Sequence, residues 1–101
     1  MASGTANTAY HSTLVASTVD TVTLNDGEEY VTLVNRSGSA EIYATVGTSA
    51  VPPATPTVGG NDTYVLPAAI GSLRVAGQIG PTVVKLISSG TPTYSVEVVA
   101  S

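Results

Sequence analysis

Short runs in which apolar and polar residues alternate recur along most of the chain. The clearest run, residues 40–46, places Ile, Ala and Val on one face and Glu, Tyr and Thr on the other. A period of two is typical of a strand that is buried on one face. Similar runs, together with a β-branched stretch at 14–24 and a strongly apolar stretch at 82–88, predict strands within the ranges 14–24, 30–34, 63–66, 72–76, 82–88 and 93–99.

Turn-forming residues separate these runs. Asn25-Asp26-Gly27 is the strongest signal, because these residue types tolerate the positive φ angles of a tight hairpin. The pattern predicts seven or eight short antiparallel strands and no helix. We therefore expect an all-β fold, a single small β-sandwich or barrel of the jelly-roll or immunoglobulin-like kind.

Two segments lack this alternation. Residues 1–13 are small and polar, which predicts an extended N-terminal arm before a β-sandwich domain at 14–101. Such an arm is either a frayed terminus or a segment ordered against a neighbouring subunit, with Tyr10 as its anchor. We expect the domain to stay folded without it.

Residues 47–60 form the second such segment, and they contain three prolines. Prolines remove backbone donors, and a connection of this length is usually functional or mobile. This loop is therefore a predicted contact surface. The candidate subunit contacts from the loop and the arm together are Tyr10, His11, Val51, Pro52, Pro53 and Pro56.

Composition supports a β-protein with an unusual exterior. The chain has 15 Val and 15 Thr, no Phe, Trp or Cys, and only 10% charged residues, against about 25% in an average protein. Thr and Ser hydroxyls can be buried at modest cost where they find partners. A coat of such residues suits repeated subunit contacts, although a plain soluble sandwich would also fit this composition.

The few charges exclude several partners. The net charge is −4, and Arg36, Arg74 and Lys85 are the only strong bases. Three scattered cations form no stripe for a phosphate backbone or an anionic membrane, so we expect neither nucleic-acid nor membrane binding. The first residues lack a basic and apolar leader pattern, so we expect synthesis in a cytoplasm.

Candidate chemistry is sparse. His11 is the only histidine, and it lies in the predicted arm. A general base must be held within hydrogen-bond reach of the proton that it takes, and a mobile arm does not hold it there. We therefore expect no enzyme and no cofactor. Asp26, Glu28 and Glu29 surround the predicted hairpin turn, close to Asp20, and we interpret them as a solvated tip. The alternative is a weak Ca²⁺ site near Asp26 and Glu28, with Asn61-Asp62-Thr63 as further oxygen donors.

Five tyrosines are the only aromatic residues. Their rings could stack on sugars, which motivates a carbohydrate-binding alternative. Four of them lie in predicted strands, where we expect packing at sheet edges with the hydroxyl outward: Tyr30, Tyr43, Tyr64 and Tyr94.

Several segments, read as strings, resemble a family of small virion proteins from tailed phages of actinobacteria. The matching stretches are Asp20–Leu24, Val34–Gly38 with Glu41–Gly47, Pro56–Ala68, Val83–Gly90 and Tyr94–Val96. The insertion Thr48–Pro53 makes the loop longer than the family pattern.

The resemblance implies a non-enzymatic virion protein of the capsid-decoration kind. It implies a homotrimer on the capsid surface that clamps subunits of the major capsid protein, with the arm and the loop as contacts. The alternative is a tail, baseplate or head-fibre module that binds host carbohydrate.

Overall fold

The computed structural model describes residues 2–26, 30–77 and 81–99, and these residues fold into two packed sheets. One sheet has the strand order β1-β3-β8-β5-β6 and the other β2-β9-β4-β7. The predicted all-β sandwich is confirmed. The strands are β1 Ala2–Ala6, β2 Ala9–Thr13, β3 Asp20–Leu24, β4 Tyr30–Asn35, β5 Ile42–Thr48, β6 Tyr64–Leu66, β7 Gly71–Ala76, β8 Thr82–Ile87 and β9 Thr93–Val99.

The core lies between the sheets and consists mainly of aliphatic residues. Strand β4 shows how the sequence builds it, because Val31, Leu33 and Asn35 are buried while the residues between them are half-exposed. Side chains two apart in a strand share a face, so the β-branched alternation places one stripe inside. The described ranges include no helix long and apolar enough to cross a membrane.

The predicted arm at 1–13 is wrong. Residues 2–6 pair in parallel with β3, and residues 9–13 pair antiparallel with β9. Two residues join these strands, so the chain passes directly from the edge of one sheet to the edge of the other. The described residues therefore form nine strands, and one strand pair among them is parallel.

Tyr10 belongs to the core instead of anchoring an arm. Its ring packs at 6.5 Å, centroid to centroid, from the ring of Tyr94. A Cβ atom at Gly4 would overlap the Tyr10 ring, so the small residues of β1 make room for this packing. The domain boundary predicted at residue 14 has no counterpart, because the sandwich already begins in β1.

The range 14–24 also differs from the prediction of one long strand or two short ones. Only Asp20–Leu24 is a strand, and residues 14–19 cross between the sheets. Leu14 is buried at this crossing, and its N–H donates to the carbonyl of Pro92.

Candidate functional site

The connection between β5 and β6, residues 49–63, is folded back on the outer face of its own sheet; we call it the β5–β6 loop. The hydroxyl of Thr45 donates to the carbonyl of Ala54 at 2.6 Å. Thr48 and Val51 exchange two hydrogen bonds, one from Thr48 N to Val51 O and one from Val51 N to Thr48 Oγ1. These bonds give the loop a defined shape.

The loop's predicted contact residues divide into two groups. Val51 is 73% exposed and Pro52 is exposed, so both are available to a partner. Pro53 and Pro56 are buried within the chain, so their prediction as contacts is wrong. Pro53 packs over Gly47, where a Cβ atom would lie 2.8 Å from the Pro53 nitrogen.

A cleft of about 420 Å³ lies on one side of Pro53. Tyr64 contributes an aromatic side chain that is 46% exposed, and Asp62 adds a carboxylate beside it. Thr63 is held by a hydrogen bond from its hydroxyl to the carbonyl of Gly60 at 2.8 Å. A ring that can stack and a carboxylate that accepts hydrogen bonds are groups able to hold a polyhydroxylated ligand.

His11 lies on β2, on the outer face of its sheet, and is exposed. Its Nδ1 is 2.6 Å from the hydroxyl oxygen of Ser95 on the neighbouring strand β9. Ser95 is only 4% exposed, so the contact links β2 to β9 at the level of the sheet. Of the two candidates from the predicted arm, His11 is therefore accessible and Tyr10 is half-buried.

The predicted outward hydroxyl is found for Tyr43 and is wrong for Tyr94. Neither residue lies on an edge strand, because β5 lies between β8 and β6 and β9 lies between β2 and β4. The exposed Tyr43 hydroxyl donates to Glu41 at 2.9 Å, and this hydrogen bond raises the pKa of Tyr43. Tyr94 is fully buried, and its hydroxyl donates to Asp20 Oδ2 at 2.9 Å. Burial and then the hydrogen bond to Asp20 raise the pKa of Tyr94 strongly.

The hairpin predicted at Asn25-Asp26-Gly27 is wrong, because β3 and β4, which flank it, lie in different sheets and do not pair. The two described acidic residues before this connection, Asp20 and Asp26, differ in exposure. Asp20 is only 3% exposed and faces the core, whereas Asp26 is exposed. Glu28 and Glu29, which belong to the predicted tip and the alternative Ca²⁺ site, lie outside the described residues. Among the residues that the structure describes, no three His, Asp or Glu side chains are grouped as metal ligands would be.

Residues 64–70 form an exposed apolar surface that the sequence did not predict; we call it the apolar edge. Ile70 is 77% exposed, Tyr64 46% and Val65 43%. Residues 63–73 contain no charged side chain. The sequence shows this uncharged run. The two short strands predicted on either side of Pro67 did not indicate that the run forms one continuous surface along one side of the sandwich.

No protein-family model and no curated protein matches this sequence. Solved structures do match the fold. A carbohydrate-binding module from a sugar cane soil metagenome, solved with cellopentaose and a gadolinium ion, has a TM-score of 0.63 at 11% identity. The match covers 95% of this chain and 90% of that one.

The pre-peptidase C-terminal domain of a collagenase from Bacillus anthracis is also similar. Its TM-score is 0.55 at 11% identity, over 95% of this chain and 91% of that domain. At such identities both likenesses concern the fold alone. They agree with the two-sheet architecture described above.

Proposed function

We propose that this chain is a structural virion protein of the capsid-decoration kind. In this proposal it is made in the host cytoplasm and binds the assembled shell of the major capsid protein. The resemblance over residues 20–98 supports the proposal. The structural observation that supports it most is the β5–β6 loop. Hydrogen bonds of Thr45 and Thr48 hold this loop on its sheet (we call it pinned), and it exposes Val51 and Pro52 to solvent.

A pinned loop suits such a contact for a physical reason. Ordering a mobile loop on binding costs free energy, and the hydrogen bonds of Thr45 and Thr48 order this loop beforehand. Packaged DNA pushes capsid subunits apart. A protein that binds only the assembled shell stabilises that state by its binding free energy.

The test is binding of the purified chain to expanded, undecorated heads. We expect saturable binding at symmetry-related sites. Burying a valine side chain contributes about 1.5–3 kcal/mol, so Val51→Asp should weaken binding roughly tenfold or more. Absence of wild-type binding at every concentration would refute the proposal.

Val15→Asp is the matched control for this experiment. Val15 is 59% exposed and lies in the β2–β3 connection, where the neighbouring Leu14 and Ser17 donate to Pro92 and Ser88. Thr48, the last residue before the β5–β6 loop, pairs with Thr82 at the start of β8. Ser88 follows the other end of β8, so Val15 and the loop lie far apart along this strand. Val15→Asp should therefore bind heads like the wild type, and an equal loss in both variants would exclude the loop as the specific contact.

A second candidate function is carbohydrate binding by a tail, baseplate or head-fibre module. The observation that favours it is the cleft with Tyr64, Asp62 and Thr63, in a fold shared with a carbohydrate-binding module. A glycan array with the wild type and Tyr64→Ala tests it, with Tyr30→Ala on the other sheet as control. Binding that only Tyr64→Ala abolishes would support it, and a blank array would remove it.

A further inference from the structure

Strand β7 ends its sheet, and no described residue pairs with its outer edge. Strands β6 and β7 end their respective sheets on the same side of the sandwich. β6 has three residues and is followed by Pro67, whereas β7 has six residues and no proline. Its only charge is Arg74, whose guanidinium lies 5.4 Å from the centre of the Tyr30 ring. Monomeric proteins usually block an edge strand of this length with charges, prolines or bulges.

The apolar edge beside β7 is held in place from within the fold. Asn35 is fully buried, and its side-chain amide donates to the carbonyl of Pro67 at 2.9 Å. The N–H of Ala69 donates to the same carbonyl at 2.7 Å. The Ile70 side chain therefore projects into solvent from an ordered backbone. It lies next to a groove of about 230 Å³ that is also lined by Val65 and Leu73.

A second copy of the chain fits this surface better than a charged partner does. Each chain carries a net charge of −4, yet residues 63–73 are uncharged and Arg74 is the only charged residue of β7, so pairing there brings no carboxylates together. The edge that the two copies would share spans the six residues of β7, about 20 Å at ~3.3 Å per residue.

We propose that two copies pair through β7, antiparallel, about a two-fold axis at Leu73. In such a pair, residues directly opposite each other point to the same face. Matching the inner faces of both sheets requires one residue of β7 to lie opposite its own copy, and the greatest overlap of the six-residue strand leaves Leu73 or Arg74 in that position. With Arg74 at the axis, two arginines lie directly opposite each other. With Leu73 at the axis, two half-buried leucines lie opposite each other, and Ile70 lies opposite the second copy's Ala76.

This pairing does not depend on the capsid proposal, so each can fail separately. Sedimentation equilibrium of the purified chain should give a dimer at micromolar concentration. Ile70→Glu should raise the dissociation constant at least tenfold, because it places a carboxylate in the apolar contact. Val51→Glu is the control, since Val51 is 73% exposed, close to the 77% of Ile70, but lies in the β5–β6 loop. A wild-type monomer, the trimer implied by the resemblance, or equal effects of both variants would overturn the proposal.

Cysteine substitution tests the register, because the chain has no cysteine of its own. Leu73→Cys places two thiols directly opposite, with Cβ atoms about 5 Å apart. Ser72→Cys places them diagonally, about 7–8 Å apart, which is beyond disulfide reach. Under mild oxidation only Leu73→Cys should form a covalent dimer on a non-reducing gel. Cross-linking of Ser72→Cys in its place would overturn this register.

Discussion

Replacing Asn35 by alanine should destabilise the sandwich more than any substitution of a surface residue. The side chain is fully buried and makes three hydrogen bonds. Its Nδ2 donates to the carbonyls of Ala40 and Pro67, both at 2.9 Å, and its Oδ1 accepts from Gly38 N at 3.0 Å. Asn35 therefore connects β4, the turn before β5 and the connection between β6 and β7.

The size of the effect follows from these three bonds. Each contributes about 1 kcal/mol net, and alanine leaves the two carbonyls and one N–H without this partner. We expect Asn35→Ala to lower the free energy of unfolding by about 3 kcal/mol, a large share of the roughly 5–15 kcal/mol typical of native proteins. In urea this corresponds to a midpoint lowered by roughly 1–3 M.

Urea unfolding followed by the β-sheet circular dichroism signal measures this change. The matched control is Asn25→Ala, because Asn25 is exposed and its amide lies 3.5 Å from Asn7 Oδ1, a long contact. The control should change stability by less than ~0.5 kcal/mol. If Asn35→Ala stays within about 1 kcal/mol of the wild type, the argument that this residue joins the three segments is refuted.

Three further results are expected. Burial and Asp20 raise the pKa of Tyr94 in the folded state, so above pH ~10 the unfolded chain loses this proton first and the free energy of unfolding falls as the pH rises. Urea unfolding across pH should show a smaller alkaline loss of stability for Tyr94→Phe. Deleting residues 1–13 should abolish the folded β signal in circular dichroism, since it removes β1 and β2; an intact spectrum would contradict this. Gly38 and Gly59 have similar positive φ angles, 66° and 70°, but a Cβ atom at Gly38 would lie 2.8 Å from Ile70 N, whereas one at Gly59 would meet open space. Gly38→Ala should therefore unfold at a lower urea concentration than Gly59→Ala. Equal midpoints would show that the close approach to Ile70 does not matter.

Most strands from residue 20 onward were predictable because their apolar side chains alternate, and β8 was predictable as a short, strongly apolar run. In β4 and β5 one face packs on the core, so burial itself imposes the period of two. Strands β1 and β2 lack this signal because they are edge strands of small and polar residues. Backbone hydrogen bonds to β3 and β9 hold them, and hydrogen bonding by the backbone leaves little trace in the sequence.

The site was predictable only in outline. Prolines correctly marked a loop, but it spans residues 49–63, and the predicted range 47–60 took in the last two residues of β5. The hydroxyl of Thr45 donates to the carbonyl of Ala54 and holds the loop on the sheet surface, a contact that local patterns do not reveal. The orientation of Tyr94 likewise depends on Asp20, 74 residues away in sequence. Such pairings follow from the sheet order, which local patterns do not specify.

Electron microscopy of an intact phage particle that carries this chain tests the central proposal most directly. A gold label or a three-dimensional reconstruction should place the protein on the outer surface of the head, at positions related by the symmetry of the shell, with the β5–β6 loop against the major capsid protein. Density confined to the tail or baseplate, or absence of the chain from the particle, would contradict the account.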